Sequence, residues 1–424
     1  MEEKLVKSDS GVNIYCYNNP VLHGFFISLF VKAGVIYEAP SQYGITHFLE
    51  HVAIRNVNAV MNGRLYAELD RSGIEFNAST YSEMVQFYVS GASECFGAGA
   101  EIITKLFCPL KLGKGEIDAE RRRIKAEIRE SDDKSSLAGF TNKIVFEGTP
   151  LESSIIGTNC GIDRISAKSL EAYRSSVMNR SNIFFYVTGS FLDSDIRRLA
   201  ELIDCYSIPD APPRRNSPPI PQGFGKRGPV VAVKNADYTM LRFTFDIDMS
   251  RVDSCHLDLI YDMLLSGYNS RLFIELSEKK GLFYDIGGAA ERYANIGSLN
   301  FSFELKEKDV EQAVATSLRI VSELKRPEVV AKECVRAGYV DNALMLLDDA
   351  RELNFTLAYD NHVLGMGYKS VEQRKNRYEA ITAEELSLAA REIFRPENLT
   401  VTLKGNKKKI NPERIRAIAL SALV

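Results

Sequence analysis

The chain has 424 residues, 45% of them hydrophobic and 26% charged, with a formal net charge of −3. That length holds about two or three domains with sizeable cores, in the composition range of ordinary soluble globular proteins. The near-neutral balance leaves no electrostatic footprint for nucleic acid or an anionic membrane, and the Arg121-Arg122-Arg123 run reads as a solvated helix face.

Taken in chain order, Phe25 to Val35 reads as a strand, followed by a helical stretch that carries His47-Phe48-Leu49-Glu50-His51. Val85 to Ser90 is again strand-like, Glu116 to Asp132 and Ala167 to Val177 are helical, and Ile183 to Val187 is a strand. Residues 206–229 then gather Pro209, Pro212, Pro213, Pro218, Pro219, Pro221 and Pro229, half of the fourteen prolines, which suits an extended linker and neither a helix nor a central strand. Beyond it, Leu241 to Ile247 and Leu299 to Leu305 read as strands and Ser254 to Leu265 as a helix.

The linker falls near the midpoint, and the two sides resemble each other. Ile165-Ser166-Ala167 with Leu170, Asn182 and Gly189 recurs at constant spacing as Ile381-Thr382-Ala383 with Leu386, Asn398 and Gly405. Ser166 and Thr382 are both helix N-cap candidates, the latter completing a capping box with Glu385. Gly63-Arg64-Leu65-Tyr66 with Glu68-Leu69 similarly matches Ser270-Arg271-Leu272-Phe273 with Glu275-Leu276. We therefore expect two copies of one domain, residues 1–205 and 230–424, joined by the 206–229 linker. Strands and helices mix without a βαβ rhythm or a Gly-rich phosphate loop, so the expected class is α+β.

The seven cysteines are odd in number, scattered and never spaced Cys-x-x-Cys, as expected of free thiols in a reducing compartment. No apolar h-region opens the sequence and no stretch approaches the ~18 apolar residues of a membrane span, so the expected location is cytoplasmic.

Two of the five histidines sit in the His47–His51 pentapeptide. On a helix His47, Glu50 and His51 share one face, so both imidazoles can bind one metal ion with a carboxylate beside it, the inverted His-x-x-Glu-His zinc-hydrolase order. A catalytic zinc takes three protein ligands, so one more is needed from another element. Glu120 and Glu127 lie close to two turns apart on one helix face, and Glu130 can reach that face as well; spacing does not choose among them. The other histidines, His23, His256 and His362, lack ligand-like neighbours in sequence.

The stretch Gly44-Ile45-Thr46-His47-Phe48-Leu49-Glu50-His51, then Asn77-Ala78-Ser79-Thr80 with Glu83, then Glu120 to Glu127, resembles the M16 family of zinc metallopeptidases. The likeness runs over nearly the whole chain, through Gly157-Thr158, Asn182 to Gly189 and Arg395-Pro396-Glu397-Asn398-Leu399-Thr400. It implies two homologous domains forming half of a clamshell. It also implies zinc as the cofactor, ligated by His47, His51 and Glu127, with Glu50 as general base and Glu120 supporting the site. Asn77 and Ala78 would lie on an edge strand that receives an extended peptide substrate, which main-chain hydrogen bonds hold whatever its sequence.

The family also uses an Arg and a Tyr from the C-terminal half. In Ser277-Glu278-Lys279-Lys280-Gly281-Leu282-Phe283-Tyr284 the tyrosine is present as Tyr284, but Ser277 stands in the arginine's place, and Lys279 or Lys280 is left to supply a cation. The expectation is a metalloendopeptidase working as a dimer, either a homodimer or a heterodimer with a zinc-less homologue that brings the complete Arg/Tyr pair. The alternative is a non-catalytic structural subunit of the same fold.

Overall fold

The computed structural model describes residues 1–131, 136–267, 269–332 and 343–423. Its strands form two sheets. The first comprises β1 (Lys4–Lys7), β2 (Asn13–Asn18), β3 (Gly24–Val31), β4 (Glu75–Thr80), β5 (Val85–Ala92) and β6 (Ile183–Gly189), in the order β1-β2-β6-β3-β5-β4. The second comprises β7 (Val230–Asn235), β8 (Met240–Asp248), β9 (Gly287–Arg292), β10 (Ile296–Glu304) and β11 (Leu399–Gly405), in the order β7-β11-β8-β10-β9. Apart from β1 the two orders are the same. In each sheet one parallel pair, β2 with β6 or β7 with β11, is followed by antiparallel neighbours. The repeat seen in the sequence is therefore a repeat of fold, and the class is α+β.

The helices that frame the site and the repeat are α1 (Ile45–Val60), α2 (Lys114–Glu130), α3 (Leu137–Val145), α4 (Ala167–Val177), α5 (Ala350–Ala358) and α6 (Ala383–Ile393). Ser166 and Thr382 cap α4 and α6, accepting from the amides of Ser169 and Glu385. Strand β3 ends earlier than expected. Gly34, with φ 141°, turns the chain where an added Cβ would meet the Ser82 carbonyl at 2.3 Å.

The chain forms two compact units: Met1–Asp132 with Ser153–Asn216 and Leu344–Arg374, and Asp133–Glu152 with Ser217–Ala343 and Lys375–Val424. They change over within the 206–229 segment, between Asn216 and Ser217, but do not otherwise follow chain order. Helix α5 belongs with the first unit because Asn354 is buried there, accepting from Ser28 Oγ at 2.6 Å and donating to the Tyr186 carbonyl at 2.8 Å. Helix α3 belongs with the second, where Thr141 meets Thr402 through their hydroxyls at 2.6 Å. Both are tertiary polar contacts, which hydrophobic periodicity cannot reveal.

In the first unit α1 lies on the apolar face of the sheet. Phe48, Leu49, Val52 and Val57 share a buried cluster with Phe25, Ile27, Leu29 and Val31. Burying each such side chain contributes about 1.5–3 kcal/mol, so the packing that forms the core also holds α1 in place. Strand β4 bonds to β5 on one side and is the last strand of its sheet among the described residues, leaving its other edge open.

Candidate metal centre

Helix α1 starts at Gly44, whose φ of 95° and closeness to Gly157, 2.8 Å between an added Cβ and its Cα, exclude a side chain that could cap the helix. Glu38 caps it instead: its carboxylate accepts from the amides of Gly44 at 2.8 Å and Thr46 at 2.9 Å. Burial raises the Glu38 carboxyl's pKa, and the hydrogen bonds from Thr46 and Gly44 oppose the shift.

From this anchored start α1 presents His47, Glu50 and His51 toward α2. One ligand atom each from His47, His51 and Glu127 lie within 4.8 Å of one another. His47 Nε2 is 3.5 Å from Glu127 Oε1, and His51 Nε2 is 3.5 Å from Glu127 Oε2. Donors ~2.0–2.1 Å from a tetrahedral ion stand about 3.3 Å apart, so the spacing and the two-imidazole, one-carboxylate set fit zinc. The alternatives left open by spacing are resolved in space: Glu127 joins the histidines, Glu120 lies behind them, and Glu130 is exposed to solvent.

Glu120 is 2% exposed. Its Oε2 lies 3.4 Å from His51 Nδ1 and its Oε1 accepts from Arg55 Nη1 at 2.6 Å. A carboxylate behind a ligand imidazole fixes the ring's orientation and leaves Nε2 free for the metal. Sequence reasoning missed Arg55, although it sits one turn beyond His51 on the same face, the only signal available. His47 Nδ1, by contrast, is buried without a hydrogen-bond partner among the described residues. Replacing Glu120 with Gln is expected to weaken zinc binding by about 10–100-fold, as outer-sphere carboxylate losses do, which competition with a chromophoric chelator measures.

Burial, reinforced by the nearby His51, lowers the His47 pKa from 6.5 to about 4, so the imidazole is neutral and ready to ligate near pH 7. In the metal-free protein the unfolded chain then binds more protons than the folded one between pH 6.5 and about 4. Stability therefore rises with pH across that window; His47's contribution is complete above it and falls away toward about pH 4, on the order of 3 kcal/mol in all. Urea unfolding of the apoprotein at the two ends of the window should show this slope, and His47→Asn should flatten it; equal slopes would remove the assignment.

Glu50 faces the same space. Burial raises its pKa; a hydrogen bond from Thr80 Oγ1 at 2.5 Å and the nearby His51 lower it, and Glu127 raises it further. Thr80 ends β4, so the open edge strand runs up to the Glu50 carboxylate. Phe76 and Ala78 pack toward the core that α1 covers, and exposed Asn77 accepts from the Ala78 amide at 2.9 Å.

One expectation is revised. Arg121 is not part of a solvated face: it donates to the carbonyls of Ile162 and Ile165 and lies 5.2 Å over the Phe48 ring. Lys279 and Lys280 are engaged, by Glu275 Oε1 at 2.5 Å and Thr316 Oγ1 at 2.7 Å. Ser277, in the arginine's place, donates to the Phe283 carbonyl at 2.8 Å, while Tyr284 is 96% exposed in the second unit.

The fold and the metal centre together define a chain of the M16 peptidase class. The protein belongs to that family: residues 15–159 match the profile Insulinase (Peptidase family M16), and residues 164–337 the profile Peptidase M16 inactive domain. It is 22% identical over 389 residues to the uncharacterized zinc protease YmxG of Bacillus subtilis (strain 168), covering 91% of this chain and 94% of that one. An uncharacterized zinc protease of Rickettsia bellii (strain RML369-C) is 25% identical over 418 residues, 96% of this chain and 97% of the relative. The crystal structure of a putative M16-like peptidase from Alicyclobacillus acidocaldarius superposes with a TM-score of 0.82 at 17% identity, covering 96% of this chain and 98% of that one. Among the described residues no helix is long and apolar enough to cross a membrane.

Proposed function

We propose that the chain is a zinc-dependent metalloendopeptidase that hydrolyses extended or unfolded peptides and works as a dimer. One observation carries the reading: the His47–His51–Glu127 cluster, with Glu50 beside it, lies at the end of an open sheet edge. His47, His51 and Glu127 would hold the zinc ion, which when bound supplies Lewis acidity that polarises an acyl oxygen and acidifies water. Glu50, its pKa raised by burial, is the base that takes the proton from the attacking water and passes it to the leaving amine. Thr80 holds that carboxylate in place from the last residue of β4. A substrate strand laid along β4 would satisfy the edge's free main-chain groups without regard to side-chain identity, which selects for extension over sequence.

The dimer rests on Ser277. With Ser277 tied to Phe283, Lys279 to Glu275 and Lys280 to Thr316, the segment that carries Tyr284 has no arginine of its own. A donor to the developing oxyanion contributes about 10²–10³ in rate, so a second chain that brings an arginine has a defined task. That chain is a second copy or a zinc-less homologue. A purely structural role is the weaker reading, because such a subunit has no use for two imidazoles and a carboxylate converging beside a half-buried Glu50.

The test is hydrolysis of a mixed set of unstructured peptides by the zinc-loaded chain. Cleavage that a chelator abolishes and zinc restores is the expected result. Loaded, folded protein that cleaves nothing alone but gains activity with a homologue carrying the Arg/Tyr pair would assign the heterodimer. Inactivity with any such partner would leave the structural role.

A further inference from the structure

The linker leaves the first unit at Asn216, and two residues earlier Arg214 reaches back into that unit. Its guanidinium carbon lies 5.3 Å from the Tyr37 ring centroid and 5.9 Å from that of Tyr173. Its Nη2 donates to Ser176 Oγ at 3.4 Å, and its Nη1 is buried without a hydrogen-bond partner among the described residues. The cation is thus held mainly by two aromatic faces.

Both rings lead to the start of α1. Tyr173 Oη shares a 2.7 Å hydrogen bond with Thr46 Oγ1, on the residue just before His47. Tyr37 is followed directly by Glu38, whose carboxylate takes the amides of Gly44 and Thr46. The hydrogen bonds that Glu38 and Tyr173 make to Gly44 and Thr46 at the head of this helix therefore come from the two segments that Arg214 touches.

We infer that Arg214 is a positioning residue for His47: by bracketing Tyr37 and Tyr173 it ties the linker to the cap of α1 and so sets where the first histidine stands. His47 depends on this support more than His51 does, since Glu120 holds the His51 ring from behind while His47 Nδ1 has no such partner among the described residues. A linker drawn away from the first unit would release the cap and loosen the metal, which makes the linker a route by which movement elsewhere in the chain reaches the site. The inference rests on reading the His47–His51–Glu127 cluster as a zinc centre.

The experiment measures zinc affinity of the full chain by competition with a chromophoric chelator, with thermal melting recorded alongside. The variants are Arg214→Gln, Arg214→Lys, Tyr173→Phe and the Arg214→Gln/Tyr173→Phe double. Arg214→Gln and Tyr173→Phe should each weaken zinc by about three- to tenfold, below the ~10–100-fold of losing a carboxylate that touches a ligand. The double variant should be no weaker than the worse single, since both act through one chain of contacts, and Arg214→Lys should recover part of the loss. Equal zinc affinity in wild type and Arg214→Gln, or additive losses in the double, overturns the inference. Tyr173→Phe removes only a hydroxyl, so its binding zinc as wild type does overturns it even if Arg214→Gln fails to fold. A wild-type chain that binds no zinc would instead bring down the functional reading itself.

Discussion

Glu50→Gln is expected to leave zinc bound at near wild-type affinity and to lower peptide hydrolysis by about 10²–10⁴, the usual contribution of a positioned base. The two halves of that expectation have separate causes. Glu50 is not among the residues whose ligand atoms converge, so its charge is not needed to hold the ion. Its carboxylate does lie beside the cluster, where the proposed reaction needs a proton moved, buried enough for its pKa to rise and steered by Thr80. A glutamine keeps the shape and can still accept from Thr80 but cannot take a proton. Steady-state peptide cleavage together with metal content after dialysis separates the two: a variant that is zinc-free or fully active would show that Glu50 has another role.

His51→Ala should have the larger effect on metal. It removes one of three converging ligands and leaves Glu127, 45% exposed at its side chain, spanning an empty position. The loss of affinity should exceed the ~10–100-fold of an outer-sphere change, and activity should disappear with the metal. It also strands Glu120: a carboxylate at 2% exposure keeps Arg55 but loses the imidazole it faces. We therefore expect His51→Ala to melt lower than Glu50→Gln in the metal-free state, by about 1–3 kcal/mol of stability for the buried Glu120 Oε2 that loses its partner. Equal melting of the two apoproteins would count against Glu120 being held through His51.

Which parts of this arrangement were legible in advance follows from the range of the interactions concerned. His47, Glu50 and His51 lie within about one turn, so helical periodicity alone puts them on one face. The repeat was readable for the same local reason: the caps at Ser166 and Thr382 and the strands that follow are set by neighbouring residues, and the two sheets share their strand order. Glu120, Glu127 and Glu130 were equivalent by spacing, and only the packing of α2 against α1 separated the one that converges on both histidines, the one behind His51 and the solvated one. Arg55 and Glu38 carried no motif, and Thr80 only its place in the Asn77-Ala78-Ser79-Thr80 segment: Arg55 and Thr80 act through partners far off in sequence, and Glu38 through two amides across the turn that enters α1. Arg121 looked solvated because a run of arginines on a helix usually is; its burial depends on carbonyls that become available only where another helix ends.

The sequence by itself determined that His47, Glu50 and His51 share one helix face and that the fold is doubled, because each is written in residues that are near neighbours or in a pattern that repeats. Tertiary structure alone decided which carboxylate joins the two histidines, what caps the helix that carries them, and which unit claims α3 and α5. Those outcomes depend on burial and on hydrogen bonds between segments far apart in the chain, and such contacts exist only once the sheets have brought the segments together.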